Sequence, residues 1–251
     1  MAGRVRGLSL VSSRYDGLIA SDAALGYGEW ILEFRNDSRQ QREARAQILL
    51  PPGGVVSRLT LWINGEEREA AFGGRSQVRE AYQKVAVQQR RDPVLVTTAS
   101  PDRVLMQCFP VPPNGGLMKV RIGITSLLQL VDRENGLHAW PQFIERNFSL
   151  VENLKRSIWV ASRAELDCTS ELLRPVERED GRTGLQGELT ENELADPRNI
   201  LRVHRAPPAP DMVWTDGPGD SRIEQTLLAL TNNTSQKLVV VLDGSALMKN
   251  D

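Results

Sequence analysis

Apolar and polar residues alternate along much of the first half of the chain. In the stretch "VVSRLTLWING", every second residue from Leu59 to Ile63 is apolar, and Trp62 lies on the opposite side. This period of two predicts a strand with one buried face. Asn64-Gly65 comes next, and it predicts a hairpin because both residue types tolerate a positive φ. Further strands are predicted in "GEWILEFRNDS", "EARAQILL", "EEREAAF", "VLVTTA", "RVLMQCFPV" and "MKVRIGITSLLQL".

A helical period replaces the alternation between residues 76 and 91. The apolar residues recur there at the spacing of one stripe on a helix: Val78, Ala81, Tyr82, Val85 and Ala86. Ser76 suits the N-cap, and Asp92-Pro93 ends the helix because the residue before proline avoids helical geometry. We therefore expect one amphipathic helix at about residues 76–91.

The pattern is weaker after Val131. "RSIWVAS", "GLQGELT" and "NILRVHRA" predict short strands between charged loops. Residues 131–205 either extend the first unit or form a second small β-layer, and we favour one continuous unit because no clear linker comes before Arg205. Prolines and glycines crowd the segment Arg205–Arg222, which predicts a linker or long surface loop. "IEQTLLALTN" after it fits a helix or a strand, so residues 206–236 are expected to be a linker and connecting element.

Together these elements predict a mainly β fold. We expect an antiparallel β-sandwich over residues 1–130 that carries the single helix, with additional β-strands after it. The closing residues 237–251 begin with an apolar run, Leu238–Leu242, that is typical of a buried strand.

Composition narrows the classes of function. The chain has 31 Lys and Arg against 32 Asp and Glu, so no overall attraction to nucleic acid or to an anionic membrane is predicted. No stretch has the apolar length of a signal peptide core or of a membrane span, so direct membrane insertion is not expected. Cys108 and Cys168 are expected to be small apolar fillers, with one bridge between them as the alternative. His138 and His204 lack metal or catalytic spacing and are interpreted as ordinary surface or loop imidazoles.

Asp243 and Ser245 come directly after the closing apolar run and are the candidate metal ligands. A carboxylate and a hydroxyl two residues apart at a strand end supply two of the oxygen ligands that Mg²⁺ prefers. An Asp-Gly turn after a strand gives the same pattern without any metal. We expect no cofactor in this chain, and Mg²⁺ only in the intact protein.

The order of the motifs resembles the vault protein inter-alpha-trypsin (VIT) domain over roughly residues 25–130. The resemblance begins with a Phe-x-Asn strand end at Phe34-Arg35-Asn36, Glu-Ala and Leu-Pro around the next strand at Glu43-Ala44 and Leu50-Pro51, and an Asn-Gly hairpin at Asn64-Gly65. It continues with a helix that has a central tyrosine, Tyr82, a stop at Asp92-Pro93, and Phe-Pro-x-Pro-Pro at Phe109–Pro113 before a basic strand.

The resemblance also has an implication for the last residues of the chain. In that family a von Willebrand factor type A domain usually comes after the VIT domain, and residues 237–251 stand where its first strand would begin. The adhesion site of that domain opens with Asp-x-Ser-x-Ser, which Asp243 and Ser245 match in part. Leu247 occupies the third ligand position and cannot bind a metal. Residues 237–251 are therefore expected to be the truncated first strand of a type A domain.

The main functional hypothesis is a non-enzymatic interaction, scaffold or adhesion module of a larger protein, with other proteins as partners. A carbohydrate-binding β-sandwich is the alternative, with Trp62 and Trp140 as an outward stacking platform, while Trp30 and Trp159 are expected in the core. A hydrolase or transferase that uses acidic residues after residue 130, such as Glu188 and Glu191, is a further hypothesis.

The localisation rests only on the resemblance, which implies a secreted or cell-envelope protein. Asn-x-Ser/Thr triplets, which accept glycans in some hosts, begin at Asn36, Asn147, Asn232 and Asn233.

Overall fold

The computed structural model describes residues 3–63, 65–71, 94–177, 181–205, 212–216 and 222–227. The predicted mainly β fold is confirmed, since most of these residues lie in strands. In chain order the strands are β1 (Leu8–Ala20), β2 (Leu25–Asn36), β3 (Arg42–Leu49), β4 (Val55–Ile63), β5 (Glu66–Glu69), β6 (Val94–Ser100), β7 (Arg103–Val111), β8 (Gly116–Leu127), β9 (Gln129–Leu130), β10 (Asn135–His138), β11 (Gln142–Arg146), β12 (Ser149–Leu150), β13 (Arg156–Ser162), β14 (Glu165–Asp167), β15 (Leu173–Glu177), β16 (Thr183–Leu189), β17 (Leu201–His204), β18 (Met212–Asp216) and β19 (Arg222–Thr226). A short helix, α1 (Glu191–Leu194), and a 3-10 turn, Pro197–Asn199, lie between β16 and β17.

A nine-stranded sheet is the largest layer. Its strands follow the order β15-β16-β13-β1-β2-β8-β4-β5, and β12 also pairs with β1. β1 is antiparallel to β2 but parallel to β13, in the register Ser13 to Arg156 through Ile19 to Ser162. Strands from both sides of residue 130 therefore belong to one sheet.

The sequence alternation determines which face of this sheet is buried. Trp30, Leu32 and Phe34 of β2 point inward and are fully buried. In β4 the predicted inward residues Leu59 and Leu61 are buried too. β4 and β5 pair antiparallel on either side of the predicted turn, which confirms the hairpin. We call this buried side the inner face and the opposite side the outer face.

Two four-stranded sheets, β11-β3-β7-β6 and β14-β17-β10-β9, accompany the large sheet. Aromatic side chains join the layers. The ring of Trp30 lies 4.6 Å from that of Phe143 in β11, and the ring of Phe34 lies 4.9 Å from that of Phe148. Both inner-face residues are fully buried, so these contacts form part of one apolar core.

Glycines in β2 make room for two large polar residues, Tyr15 of the inner face and His138 of β10, which packs against that face. A Cβ at Gly28 would collide with the hydroxyl of Tyr15, and one at Gly26 would lie 2.9 Å from Nδ1 of His138. Both distances are below van der Waals contact, so any larger residue at either position would displace the neighbouring ring. The bare backbone of β2 is thus part of the pocket that holds Tyr15 and His138.

Several elements differ from the sequence predictions, and the short strands β10, β11, β12, β14 and β15 are among those that were not predicted. β1 is absent from the predicted strands, because Ser13 and Gly17 interrupt its buried apolar series. β18 lies inside the segment predicted as linker or loop and pairs with β19. Its central Val-Trp-Thr favours a strand, but the prolines around it obscure that signal. The helix α1 is also absent from the predicted elements.

Single residues differ as well. His138 and Trp140 are each 2% exposed, so the interpretation of His138 as a surface imidazole and the outward orientation of Trp140 are wrong. Trp30 is buried as predicted, whereas Trp159 is only partly buried and points to the outer face. Cys108 is a buried free thiol; burial raises its pKa, and Cys168 is free as well.

The predicted glycosylation triplets at Asn36 and Asn147 contain structural amides. Asn36 is fully buried and donates to the carbonyl oxygens of Gln40 and Val111. Asn147 is 6% exposed and bonds the backbone of Glu43 and Arg45. Neither amide is presented to solvent in the folded chain.

The chain divides into two compact units, residues 1–210 and residues 211–251. The first contains β1 to β17, and the described part of the second is the β18–β19 hairpin. None of the helices in the described ranges is long and apolar enough to cross a membrane. The predicted helix at 76–91 and the predicted strand at 237–251 lie outside the described residues, and the proposed domain boundaries stay predictions.

Candidate interaction surface

The outer face of the large sheet carries a connected set of charged and aromatic side chains on β2, β8, β4 and β5. Pairing between these strands brings the members together, because neighbouring strands align same-face residues about 5 Å apart. We call this set the outer-face network. Its members are Tyr27, Glu29, Arg58, Thr60, Trp62, Glu67, Glu69, Lys119 and Arg121.

Arg58 is the centre of the network. Its Nη1 lies 2.8 Å from Oε1 of Glu29, and its Nη2 lies 2.6 Å from Oε1 of Glu69. Thr60 donates to the same oxygen of Glu69, and Tyr27 donates to Oε1 of Glu29, each at 2.9 Å. Arg58 therefore links two carboxylates that come from strands on either side of it.

A glycine beneath the network permits this arrangement. Gly123 of β8 lies between Glu29 and Arg58 in the strand register. A Cβ at Gly123 would lie 2.5 Å from Cβ of Arg58 and 2.8 Å from the hydroxyl of Tyr27. Both side chains thus cross directly over the bare backbone.

Trp62 is held by two cations. Nζ of Lys119 lies 4.3 Å from the centre of the indole ring, and the guanidinium carbon of Arg121 lies 4.8 Å from it. Both distances are typical of cation–π contacts. Arg121 is itself fixed by Glu67 at 2.7 Å and by Glu29 at 3.3 Å.

The hydrogen bonds of the network shift the pKa values of its members. The bond to Glu69 raises the pKa of Arg58, and the same bond lowers the pKa of Glu69. Both partners of this pair are therefore stabilised in their charged states. Burial, together with the hydrogen bond to Glu29, raises the pKa of Tyr27, so that hydroxyl keeps its proton and remains a donor.

The network stays accessible at its edge. The side chains of Arg58, Glu67 and Glu69 are 40%, 46% and 49% exposed, while that of Arg121 is 13% exposed. Ion pairs thus fix the side chains of the network, while the charged groups of Arg58, Glu67 and Glu69 remain accessible to solvent.

The side chain of Arg156 of β13 points to the inner face of the same sheet and is buried. Its Nη1 donates to the carbonyl oxygen of Pro141 at 2.6 Å, and its Nη2 pairs with Glu191 at 3.0 Å. The guanidinium carbon lies 4.0 Å from the ring centre of Trp30. Burial lowers the pKa of Arg156 to about 10, and the charge of Glu191 opposes that shift, so the side chain stays protonated at neutral pH.

His138 belongs to the same buried layer. Its Nε2 lies 3.3 Å from the hydroxyl of Tyr15, and its Nδ1 lies 3.5 Å from Oγ of Ser126. Its ring meets that of Trp140 edge to face at 5.8 Å between centres. Burial lowers the pKa of His138 to about 4, so the ring is neutral at physiological pH. Its surroundings are those of a structural side chain.

Of the residues singled out from the sequence, Glu188 and Glu191 lie within the described ranges, and they have different surroundings. The candidate metal ligands Asp243 and Ser245 lie outside the described residues. Glu188 is exposed on β16, whereas Glu191 lies in α1 and pairs with Arg156. Among the residues that the structure describes, no group of three or more His, Cys, Asp or Glu side chains could hold a metal ion. The predicted sugar-stacking pair is not formed, since Trp140 is buried.

Sequence reasoning missed the outer-face network, although its alternation is visible. The alternation places Lys119 and Arg121 opposite the buried side of β8, and Trp62 opposite the buried side of β4. Their meeting depends on the pairing of β4 with β8, which joins residues about sixty positions apart in the chain. The alternation identifies which side chains are exposed, but it cannot identify which strand lies next to them in the sheet.

Comparison with known proteins supports the resemblance in part. The family model of the vault protein inter-alpha-trypsin domain matches residues 28–125. That range holds β3 to β7, most of β2 and β8, and every member of the outer-face network except Tyr27. No curated protein sequence matches the chain.

Several solved structures are similar at low identity. An M1 zinc metallopeptidase from Deinococcus radiodurans is 14% identical, with a TM-score of 0.43 over 97% of this chain and 52% of the peptidase. A putative nutrient binding protein from Legionella pneumophila is 5% identical, with a TM-score of 0.40 over 78% of this chain and 66% of that protein. The chain thus spans about half the length of the peptidase. Residues 28–125 are similar to a VIT domain.

Proposed function

We propose that the chain is a protein-interaction module and that the outer-face network is its contact surface. The observation that carries the proposal is Trp62, whose ring contacts both Lys119 and Arg121 within a set of paired charges. Trp, Tyr and Arg are the residues most enriched at interfaces and at their energetic centres. The match of this region to the VIT family supports the same class of function.

The geometry also favours binding without a large ordering cost. The ion pairs of Arg58 and Arg121 fix side chains that would otherwise lose rotamer freedom on association. The mixture of both charge signs suits a partner with complementary charges and gives specificity more than general adhesion.

The wider biological setting is part of the proposal. The module is non-enzymatic and acts as a scaffold or adhesion element in a larger protein at the cell envelope or outside the cell. Residues 237–251 correspond to the first strand of a type A domain, and Asp243 and Ser245 correspond to two of its Mg²⁺ ligands. The resemblance to VIT proteins supports these points.

A direct binding comparison tests the surface. The full-length protein is used to capture partners with and without Mg²⁺, and each purified candidate is then titrated against wild type, Trp62→Ala and Trp159→Ala. We expect Trp62→Ala to weaken binding by about 30-fold, the effect of removing an interface hot spot. Trp159→Ala is the matched control, because it removes another indole from the outer face, on β13.

The titrations have two decisive outcomes. Binding that falls only in Trp62→Ala, with thermal unfolding of both variants near wild type, supports the surface. Binding that is equal in wild type and Trp62→Ala contradicts it. A Mg²⁺-independent partner would leave the interaction module in place and remove the adhesion-site part of the proposal.

A further inference from the structure

The strand β6 (Val94–Ser100) has an open edge in the part of the chain that the structure describes. It is the last strand of the sheet β11-β3-β7-β6, and among the described residues it pairs with β7 alone. Every second residue of such a strand points its backbone N–H and C=O away from the sheet, where another chain can reach them. The seven residues of β6 therefore offer a row of main-chain donors and acceptors.

The sequence of β6 differs from those of the terminal strands β5, β15 and β11. All four residues of β5 are charged, β15 contains Pro175 and two charged residues, and β11 ends in Glu145-Arg146. Charged residues and proline at the edge of a sheet discourage pairing with other chains. The sequence of β6, "VLVTTAS", contains neither, and most of its residues favour strands.

A groove runs beside this edge. Its volume is about 510 Å³, which is within the range of about 300–1,000 Å³ for binding pockets. Its lining is mainly apolar and comes from β6, β7 and β4, with Val94, Val96, Val104, Val55, Val56 and Leu59 among its residues. Leu95 also lines the groove, although it and Val96 point to opposite faces of their sheet. The groove thus follows the edge of the strand.

The turn from β6 to β7 forms one end of the groove. Asp102 lies in this turn with a φ of 55°. The backbone N–H of Leu50 donates to its carbonyl oxygen, and that of Gly53 donates to its Oδ1, each at 2.8 Å. These bonds hold the turn against the residues between β3 and β4.

One cation at this end has no partner among the described residues. Asp102 and Arg103 are the charged residues among the described ones that line the groove. The carboxylate of Asp102 already accepts a hydrogen bond, whereas Arg103 is exposed and its guanidinium group forms no ion pair with a described residue. This end of the groove therefore suits a ligand that carries a negative charge.

The open edge and the apolar groove together select an extended peptide. An apolar small molecule would fill the groove but leave the main-chain groups of the edge without partners. A helix has its own main-chain groups bonded internally and offers none to the edge. An extended peptide meets both requirements, because its backbone pairs with the edge strand while alternate side chains enter the groove.

We propose that β6 binds an extended segment of a partner protein, which adds to the four-stranded sheet as a further strand. The segment has apolar or threonine side chains at alternate positions and an acidic residue beside Arg103. The site is centred on β6, which contains no member of the outer-face network, so it does not depend on the function proposed for that network.

The test uses the full chain and a synthetic peptide as long as β6, seven residues. Valine and threonine alternate in the peptide, and its last residue is aspartate. Calorimetry measures binding, and amide hydrogen exchange followed by NMR locates the peptide on the protein. We expect the peptide to bind and to slow exchange at alternate amides of β6, because those amides become donors to the added strand.

Two N-methylated forms of the peptide are the matched controls. Successive residues of an extended peptide direct their N–H groups to opposite edges. Methylation along the edge that pairs with β6 should weaken binding by about tenfold or more, because several hydrogen bonds are lost. Methylation along the other edge leaves the pairing groups intact and should change binding little.

A variant of Arg103 tests the charged end of the groove. Arg103→Gln should weaken binding of the aspartate peptide by about two- to fivefold, the effect of losing an exposed ion pair. The same variant should bind a peptide that ends in asparagine as wild type does. Arg35→Gln removes another exposed arginine, on β2, and is expected to leave the binding of both peptides unchanged.

Three results would overturn the proposal. They are a full chain that does not bind the peptide, equal binding of the two methylated forms, and slowed exchange that lies away from β6. All three concern the edge of β6, so the titrations of Trp62→Ala remain a separate test of the outer-face network.

Discussion

His138 and Arg156 are both buried, yet Arg156 is charged at neutral pH and His138 is neutral. Arg156 keeps its proton because the carbonyl of Pro141, the carboxylate of Glu191 and the ring of Trp30 surround the guanidinium group. His138 instead meets the hydroxyls of Tyr15 and Ser126, which carry no charge to offset its own. One residue is thus a stabilised buried cation and the other a neutral ring.

The burial of His138 should make folding sensitive to acid. Its pKa is about 4 in the folded chain and 6.5 ordinarily. The unfolded chain therefore binds more protons between these values, and stability falls as the pH drops from about 6.5 to 4. His138→Gln has no proton to gain and should reduce the loss of unfolding free energy between pH 7.5 and pH 5 by about 2 kcal/mol.

Urea unfolding of wild type and His138→Gln at the two pH values measures this difference. His204→Gln is the control, because it removes the other histidine from an exposed position on β17. Equal pH dependence in wild type and His138→Gln would show that His138 does not titrate as its burial implies.

Local sequence could not predict the environment of His138. The four residues of β10 carry little signal, and His138 is buried by Tyr15 and by the space above Gly26. Those positions are more than a hundred residues away in the chain. Only the assembled sheets determine whether this imidazole meets water or a ring.

Among the elements, α1 shows how a very short helix can matter. It has four residues, too few to be stable by itself. A capping box fixes its start: Thr190 accepts from the backbone N–H of Glu193, and Glu193 accepts from the backbone N–H of Thr190 at 2.7 Å. The helix then presents Glu191 to Arg156 beneath the sheet.

Removing the cap should therefore weaken the fold by a modest amount. Thr190→Ala is expected to lower the unfolding free energy by about 1 kcal/mol, the usual effect of losing a threonine cap. Hydrogen bonds from the backbone N–H and from the hydroxyl of Thr190 lower the pKa of Glu193. The variant loses only the hydroxyl, so that pKa should rise part of the way toward its ordinary value. Thermal unfolding and an NMR titration of Glu193 measure the two effects.

Thr190→Ser keeps the hydroxyl and is the matched control. It should leave both the unfolding temperature and the pKa of Glu193 near wild type. A Thr190→Ala variant with unchanged Glu193 titration would mean that the hydroxyl of Thr190 does not bond the carboxylate of Glu193 in solution.

The elements divide clearly into those that the sequence could predict and those that it could not. β2, β4 and β8 alternate cleanly because one face is core and the other is solvated. β1 was not predicted because two of its inward positions hold Ser13 and Gly17, which are not large apolar residues. Trp30 and Val160 of the neighbouring strands pack against these two positions. The Thr-x-x-Glu signature of α1 is present in the sequence and could have identified it.

At the scale of the whole molecule, the region that matches the VIT family is shorter than the folded unit that contains it. The VIT match covers residues 28–125, but β1 and β13 lie outside it and sit in the middle of the large sheet. Sequence patterns predicted strands in both halves and favoured a continuous unit. They could not predict the parallel pairing of β1 with β13, because that contact joins distant segments through side chains with no complementary local pattern.

The fragment 1–130 should accordingly fail to fold, whereas the fragment 1–210 should fold. Ending the chain at residue 130 removes β13, leaves β1 as a bare edge, and takes away Phe143 and Phe148 from the core. An exposed edge strand with an apolar face favours aggregation. The longer fragment keeps these contacts and also Arg205, whose guanidinium group bonds the carbonyl oxygens of Ser21, Asp22 and Arg133.

Size-exclusion chromatography, near-ultraviolet circular dichroism and thermal unfolding of both fragments test this prediction. A 1–130 fragment that is soluble and unfolds cooperatively would show that the VIT-like region folds without the strands C-terminal to it.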